Sequence, residues 1–159
     1  LPEDRMRYWM LAAAALVAAE TAAIACSCLS TDGPAELKAL APDAARDAVA
    51  MVEVETVLTF AESKGAGDRM RVVQRLAGVA VPAEFRVARG EFPSGASCDL
   101  LFDTGQRDVV LLYPAPGSPG AEPTYRISGL CTAHLLDKAP FRDEVARLMA
   151  ARGGLGERG

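Results

Sequence analysis

Three short segments of this chain alternate apolar and polar residues with a period of two, and two further short segments follow them, a pattern that leaves little room for anything but a small β structure. From Val52 to Phe60, the residues Val52, Val54, Thr56, Leu58 and Phe60 share one face, while Glu53, Glu55 and Thr59 share the other. The turn Gly65-Ala66-Gly67 leads into Arg69–Leu76, where Met70, Val72 and Leu76 are predicted to face in and Arg69, Arg71 and Arg75 out. Between Ala83 and Arg89, the apolar Ala83, Phe85 and Val87 alternate with Glu84 and Arg86. Asp108–Tyr113 and Thr124–Ser128 complete the set, joined by a Pro/Gly-rich stretch from Pro114 to Pro123. The run ending in Leu112 and Tyr113 is too apolar for an edge and predicts a central strand. Phe85 and Leu111 are predicted inward-facing, and Glu53 and Glu55 are predicted to meet Arg69, Arg71 and Arg75 across the strands as solvated pairs.

Helical spacing flanks these strands. Gly33–Leu40 predicts a short helix, with Pro34 at its first position and Glu36 completing the cap. Pro42 should interrupt it, leaving Asp43–Ala48 to make one further turn. Phe141, Val145, Leu148 and Met149 stand at i, i+4, i+7 and i+8, which predicts a carboxy-terminal helix with one face on the sheet. Gly153 onward reads as a disordered tail, residues 153–159. Antiparallel strands, helices at the edges and no second core predict a mainly β fold. The expected architecture is a five-stranded closed barrel of the OB type, with a short early helix and a carboxy-terminal helix.

A length of 159 residues fits one domain. With 17 basic against 21 acidic residues and a net charge of −4, the chain lacks the basic footprint that nucleic acid requires. A single histidine excludes multi-histidine metal centres. Asparagine is missing, which removes both an N-glycosylation sequon and a papain-like Cys/His/Asn triad. No Walker loop, GxGxxG or GxSxG occurs, and no local motif sets two carboxylates in one pocket. The expectation is a protein that is not an enzyme and carries no cofactor.

The amino-terminal residues read as an export signal. Met6 looks like the start, with residues 1–5 an upstream extension. Arg7 supplies a positive charge, Trp9–Ala19 is uncharged and apolar, and Ala23-Ile24-Ala25 offers a small-residue cleavage site before Cys26. The apolar run falls well short of the ~20 residues that span a bilayer. Residues 1–25 are therefore expected to be a signal peptide and 26–152 the folded domain of a secreted, extracellular or periplasmic protein. Small residues before a cysteine also suit bacterial lipoprotein processing, which would lipidate the Cys26 thiol, and only in that case is a membrane partner expected.

Export changes the meaning of the four cysteines, which then read as two disulfides. Cys26 and Cys28 are too close along the chain to bridge each other comfortably, so both must reach Cys98 and Cys131, in either order. Each closure should contribute ~3–5 kcal/mol in the chain-entropy account. The competing reading is a metal site from Cys26, Cys28, Cys131 and His134, whose C-x-C and C-x-x-H spacing would need reduced thiols.

Three segments in order carry a family resemblance. They are Cys26-Ser27-Cys28 at the mature start, Ser97-Cys98-Asp99-Leu100-Leu101-Phe102-Asp103-Thr104-Gly105 ahead of the strand Val109–Tyr113, and Ser128-Gly129-Leu130-Cys131 after the next strand. Together they resemble the netrin-like domains and, more closely, the amino-terminal domain of the tissue inhibitors of metalloproteinases in a bacterial-type relative. The resemblance covers Cys26 to Leu136. It implies the pairings Cys26–Cys98 and Cys28–Cys131, and a secreted inhibitor whose partner is a zinc metalloprotease. In that family the free α-amine and carbonyl of the first cysteine, here Cys26, chelate the protease's catalytic zinc and displace its water. The backbone of Cys26 would touch metal only there. Ser27 matches the residue that enters the first primed-side pocket, and Leu29 the aliphatic position after the second cysteine. The chemistry is sound, because catalytic zinc keeps an open position and an α-amine with a pKa near ~8 is partly neutral at working pH. Animal inhibitors carry a third disulfide in this domain for which no cysteines remain here, and Ser30 stands where proline is common. Netrin-like domains also include modules that inhibit nothing, so the alternative is a non-inhibitory extracellular protein-interaction module, with or without a lipid anchor at Cys26.

Overall fold

The computed structural model describes Cys28 and residues 31–88, 101–117 and 121–156. The predicted signal peptide, Cys26, Ser27, Leu29 and Cys98 lie outside these residues. Helix α1 (Pro34–Ala45) precedes strands β1 (Ala50–Leu58), β2 (Arg69–Gly78), β3 (Glu84–Val87), β4 (Arg107–Pro114) and β5 (Thr124–Ile127). Helices α2 (Leu130–Leu136) and α3 (Ala139–Gly156) follow. The strands close into a barrel in the order β1-β2-β3-β5-β4, the OB-like, mainly β architecture that the alternation predicts.

The barrel is not wholly antiparallel, as the sequence suggested. β3 and β5 pair in parallel, through Arg86↔Thr124 and Val87↔Tyr125, while the other neighbours are antiparallel. Counting forces this result. Around a closed ring, antiparallel neighbours must alternate in direction, and an odd number of strands cannot do so without one parallel pair.

There are two apolar layers where one was expected. Ala50, Val52, Val54, Met70, Phe85, Val87, Phe102, Val110 and Leu112 fill the barrel. Phe85 meets Tyr125 edge to face, with ring centroids 5.3 Å apart. Met51 and Leu111 point to the outside of the same strands and are covered by Leu37, Ala41 and Ala45 of α1, Leu136 of α2, and Phe141, Val145 and Met149 of α3. Leu111 is thus fully buried, but beneath the helices rather than inside the barrel. The apolar run in β4 has the same cause, since both of its faces are covered.

The helices differ from expectation in three places. Pro42 lies inside α1 instead of ending it. Leu37, Ala41 and Ala45 form the buried stripe, while Pro42 and Lys38 are exposed, so the carbonyl that loses its donor lies on the solvent side of a helix held by packing. Glu36 makes no backbone cap; the N-cap is Gly33, without a side-chain bond, and Glu36 accepts from the Thr31 hydroxyl. Helix α3 continues to Gly156 through the glycines that suggested a tail at Gly153, because a glycine weakens a helix by only ~1 kcal/mol and does not forbid it. Arg152, just ahead of them, donates to the carbonyls of Ala45, Arg46 and Ala48 at the end of α1.

Strand β2 also departs from simple alternation. Its register against β1 slips between Met51 and Val52, where Ala77 and Arg75 are the successive partners, so Leu76 has none. Leu76 is therefore exposed (36 %) instead of facing in, as is Val73 at the next slip (40 %). The surface ion pairs are also redistributed. Arg71 meets Glu84, Arg69 and Arg86 share Glu122, and Glu55 lies 3.7 Å from Arg107 on β4.

Candidate functional site

Sequence reasoning puts the site at the amino-terminal segment, of which Cys28 and residues from Thr31 onward are described. Cys28 is joined to Cys131 by a disulfide across 103 residues, with Cα atoms 5.1 Å apart. The Cys26–Cys98 pairing, and the roles of Ser27 and Leu29, fall outside the described residues. With both sulfurs in that bond, the metal reading of Cys26, Cys28, Cys131 and His134 loses two of its four ligands. Among the described residues, no group of three or more His, Cys, Asp or Glu side chains could hold a metal ion.

The Ser128–Cys131 segment is positioned from the barrel outward. Ser128 is buried beyond the end of β5, and it donates its N–H to the Leu111 carbonyl at 3.1 Å while its Oγ accepts from the Leu111 N–H at 3.3 Å. This pairing carries the chain to Gly129, whose extended backbone caps the first turn of α2. Cys131 stands in that turn, partly buried, and Leu136 at the far end is locked into the outer apolar layer. Alternation gave no sign of α2. Its seven residues are too few for a helical period to stand out, although Gly129 ahead of an apolar run was a legible start. His134 occupies its last turn, exposed.

The C-x-x-x-F-x-x-G segment serves the barrel. Phe102 enters the barrel core, and Leu101 beside it is 78 % exposed. Gly105 takes φ +84°, a region closed to most side chains, and its N–H donates to the Thr56 carbonyl at 2.8 Å. The Thr56 N–H returns a bond to the Gln106 carbonyl at 2.9 Å, so this turn is tied to the end of β1. Thr104 donates its hydroxyl to Glu62 at 2.6 Å. That bond, reinforced by the N–H and hydroxyl of Thr59, holds the Glu62 carboxyl below the usual carboxylate range.

Beyond Cys28, the segment has contacts that the motifs did not reveal. Lys138, between α2 and α3, donates to the Thr31 carbonyl at 2.6 Å and pairs with the Asp32 carboxylate. Nothing in the spacing of residues more than a hundred positions apart could have announced this. Cys28, Thr31 and Asp32 are thus each tied to α2 or to the residue just past its end, on the outside of a closed barrel. Among the described residues, no helix is long and apolar enough to cross a membrane. No family model, curated protein or solved structure matches the chain, so the netrin-like resemblance rests on the motifs.

Proposed function

We propose that the mature protein begins at Cys26, is secreted to an extracellular or periplasmic space, and inhibits zinc metalloproteases through its free amino terminus. The α-amine and carbonyl of Cys26 would occupy the open position of the protease zinc, with Ser27 and Leu29 contacting the primed side of the cleft. The observation that carries this reading is the Cys28–Cys131 bond, which ties the residue two places after Cys26 to a helix on the outside of a five-stranded barrel. A segment held in this way loses little freedom on binding, which favours affinity.

The test compares protein starting at Cys26 with protein carrying one added alanine before it. The addition turns the amine into an amide without a basic lone pair and leaves the barrel unaltered. Native protein is expected to inhibit at least one zinc metalloprotease in a broad panel, and the extended protein none. Inhibition should weaken as pH falls below the amine's pKa of ~8, because the protonated amine cannot coordinate. Equal inhibition by both proteins would defeat the mechanism. Inhibition by neither would favour an interaction module anchored or secreted through the same terminus.

A further inference from the structure

We propose that Lys138 is a positioning residue, a second anchor that holds Thr31 and Asp32 at the end of α2 and keeps Cys28 at Cys131. Its own backbone is fixed at the corner between the two helices. The Lys138 N–H donates to the Leu135 carbonyl at 3.0 Å, and its carbonyl accepts from the N–H groups of Phe141 and Arg142, each at 3.1 Å. From this corner the ammonium reaches the Thr31 carbonyl at 2.6 Å and the Asp32 carboxylate. The contact to Thr31 is to main chain, so it fixes the course of the segment rather than the rotamer of a side chain.

The spacing of the two ties gives them distinct roles. Cys131 stands in the first turn of α2 and Lys138 just past its end, a rise of ~10 Å at 1.5 Å per residue. The three residues from Cys28 to Thr31 can extend to ~10–11 Å. The disulfide and the lysine thus grip opposite ends of one stretch. With the disulfide alone, the chain from Cys28 to Pro34 would pivot about a single sulfur. With both, Cys28 and Thr31 are each held to the α2 region. An exposed ion pair contributes little alone, but here it is joined to a charge-assisted hydrogen bond on a side chain that is two-thirds shielded, Lys138 being 33 % exposed. When the disulfide opens, the anchor keeps the Cys28 thiol near Cys131 and so raises its effective concentration for reclosure.

The experiment equilibrates the exported chain in glutathione buffers, where two glutathione thiols become one glutathione disulfide as Cys28–Cys131 becomes two thiols. Free thiols are then alkylated and the Cys28 and Cys131 peptides quantified. In Lys138→Met the bond should open at a glutathione ratio ~3–10-fold less reducing than in the parent, the range of one hydrogen bond's net contribution. Lys138→Arg should restore most of the shift, which a merely space-filling role would not predict. Asp32→Asn, on an exposed side chain outside any helix, should give a smaller shift in the same direction and carries the test if Lys138→Met fails to fold. Parent-like opening in both Asp32→Asn and any folded Lys138→Met overturns the anchor.

The consequence for inhibition rests on the amino-terminal reading above, and a second assay keeps the two apart. In protein starting at Cys26, Lys138→Met should weaken protease inhibition by a similar factor, with rescue by arginine. A redox shift without this loss overturns the positioning of the terminus. A parent protein that inhibits nothing removes the inhibitor reading, and the redox result then decides the anchor alone.

Discussion

The barrel interior and the layer beneath the helices are built on the same two strands, yet they are assembled by different means. Ala50, Val52 and Val54 of β1, with Val110 and Leu112 of β4, face in and meet side chains from the other strands and from Phe102. Met51 and Leu111 face out and stay buried only because helices from both ends of the described chain converge on them. The interior is thus closed by the strand ladder and needs little beyond it. The outer layer depends on contacts between residues far apart in sequence, such as Tyr113 to the Ala44 carbonyl and Arg152 to the end of α1. One face of a strand can follow from local alternation, while the other is decided by what docks on it.

The sharpest way to break this comparison is to remove one anchor from each layer. Phe85→Ala should destabilise the protein by ~3–5 kcal/mol, through lost burial, a cavity and the lost contact with Tyr125. Leu111→Ala should cost ~2–5 kcal/mol by the same cavity mechanism, with the void under the helices. Urea unfolding followed by circular dichroism and by proteolysis at α3 would separate the two. The Leu111 variant should expose α3 to protease before the barrel unfolds, and the Phe85 variant should lose both together. Loss of α3 first in both variants would show that the layers are not distinguished in this way.

A smaller effect probes the tie between the layers. Tyr113 donates its hydroxyl to the Ala44 carbonyl at 2.9 Å, so Tyr113→Phe should cost ~1 kcal/mol near neutral pH. Burial, aided by Asp47 and opposed by Arg126, raises the Tyr113 pKa above its ordinary value. The unfolded chain therefore releases this proton first, near pH ~10, and stability that is complete below that pH declines as pH rises through the folded value. Tyr113→Phe should lose this part of the alkaline decline, read as the difference between the two stability curves from pH 8 to 11, about the ordinary tyrosine pKa.

The same contrast explains how much of the molecule was legible in its sequence. β1 and β3, and with them much of the barrel, could be read because Val52, Val54, Phe85 and Val87 alternate with charged neighbours, and period two has one meaning for a half-buried segment. The second layer was hidden because Met51 and Leu111 interrupt no pattern; they look like additional apolar residues until α1 and α3 cover them. Pro42 misled because local preference was read without the buried stripe of Leu37, Ala41 and Ala45, which holds the helix across it. In the candidate site, the cysteine motifs pointed to Cys28 and Cys131, since a disulfide leaves its mark in composition. The grip of Lys138 on Thr31 and Asp32 leaves none, because any lysine can reach any carbonyl.

The smallest expected effect tests the place where alternation failed. Read by period two from Met70 and Val72, Leu76 belongs inside, and Leu76→Ser would then bury a hydroxyl and leave a cavity, at a cost of ~2–5 kcal/mol. The slip in register between Met51 and Val52 leaves Leu76 as the unpaired residue of a bulge, with 36 % of its surface in water. Its replacement by serine should therefore cost no more than ~1 kcal/mol, nearer to a surface change than to a core one. Met70→Ser supplies the control on the same strand, because Met70 is fully buried and receives the Thr56 hydroxyl on its sulfur at 3.3 Å. A large loss at Met70 with a small one at Leu76 shows that the alternation begun at Met70 is broken by the time β2 reaches Leu76. Comparable losses would mean that β2 runs unbroken along β1, and the outward turn of Val73 and Leu76 would fall with it.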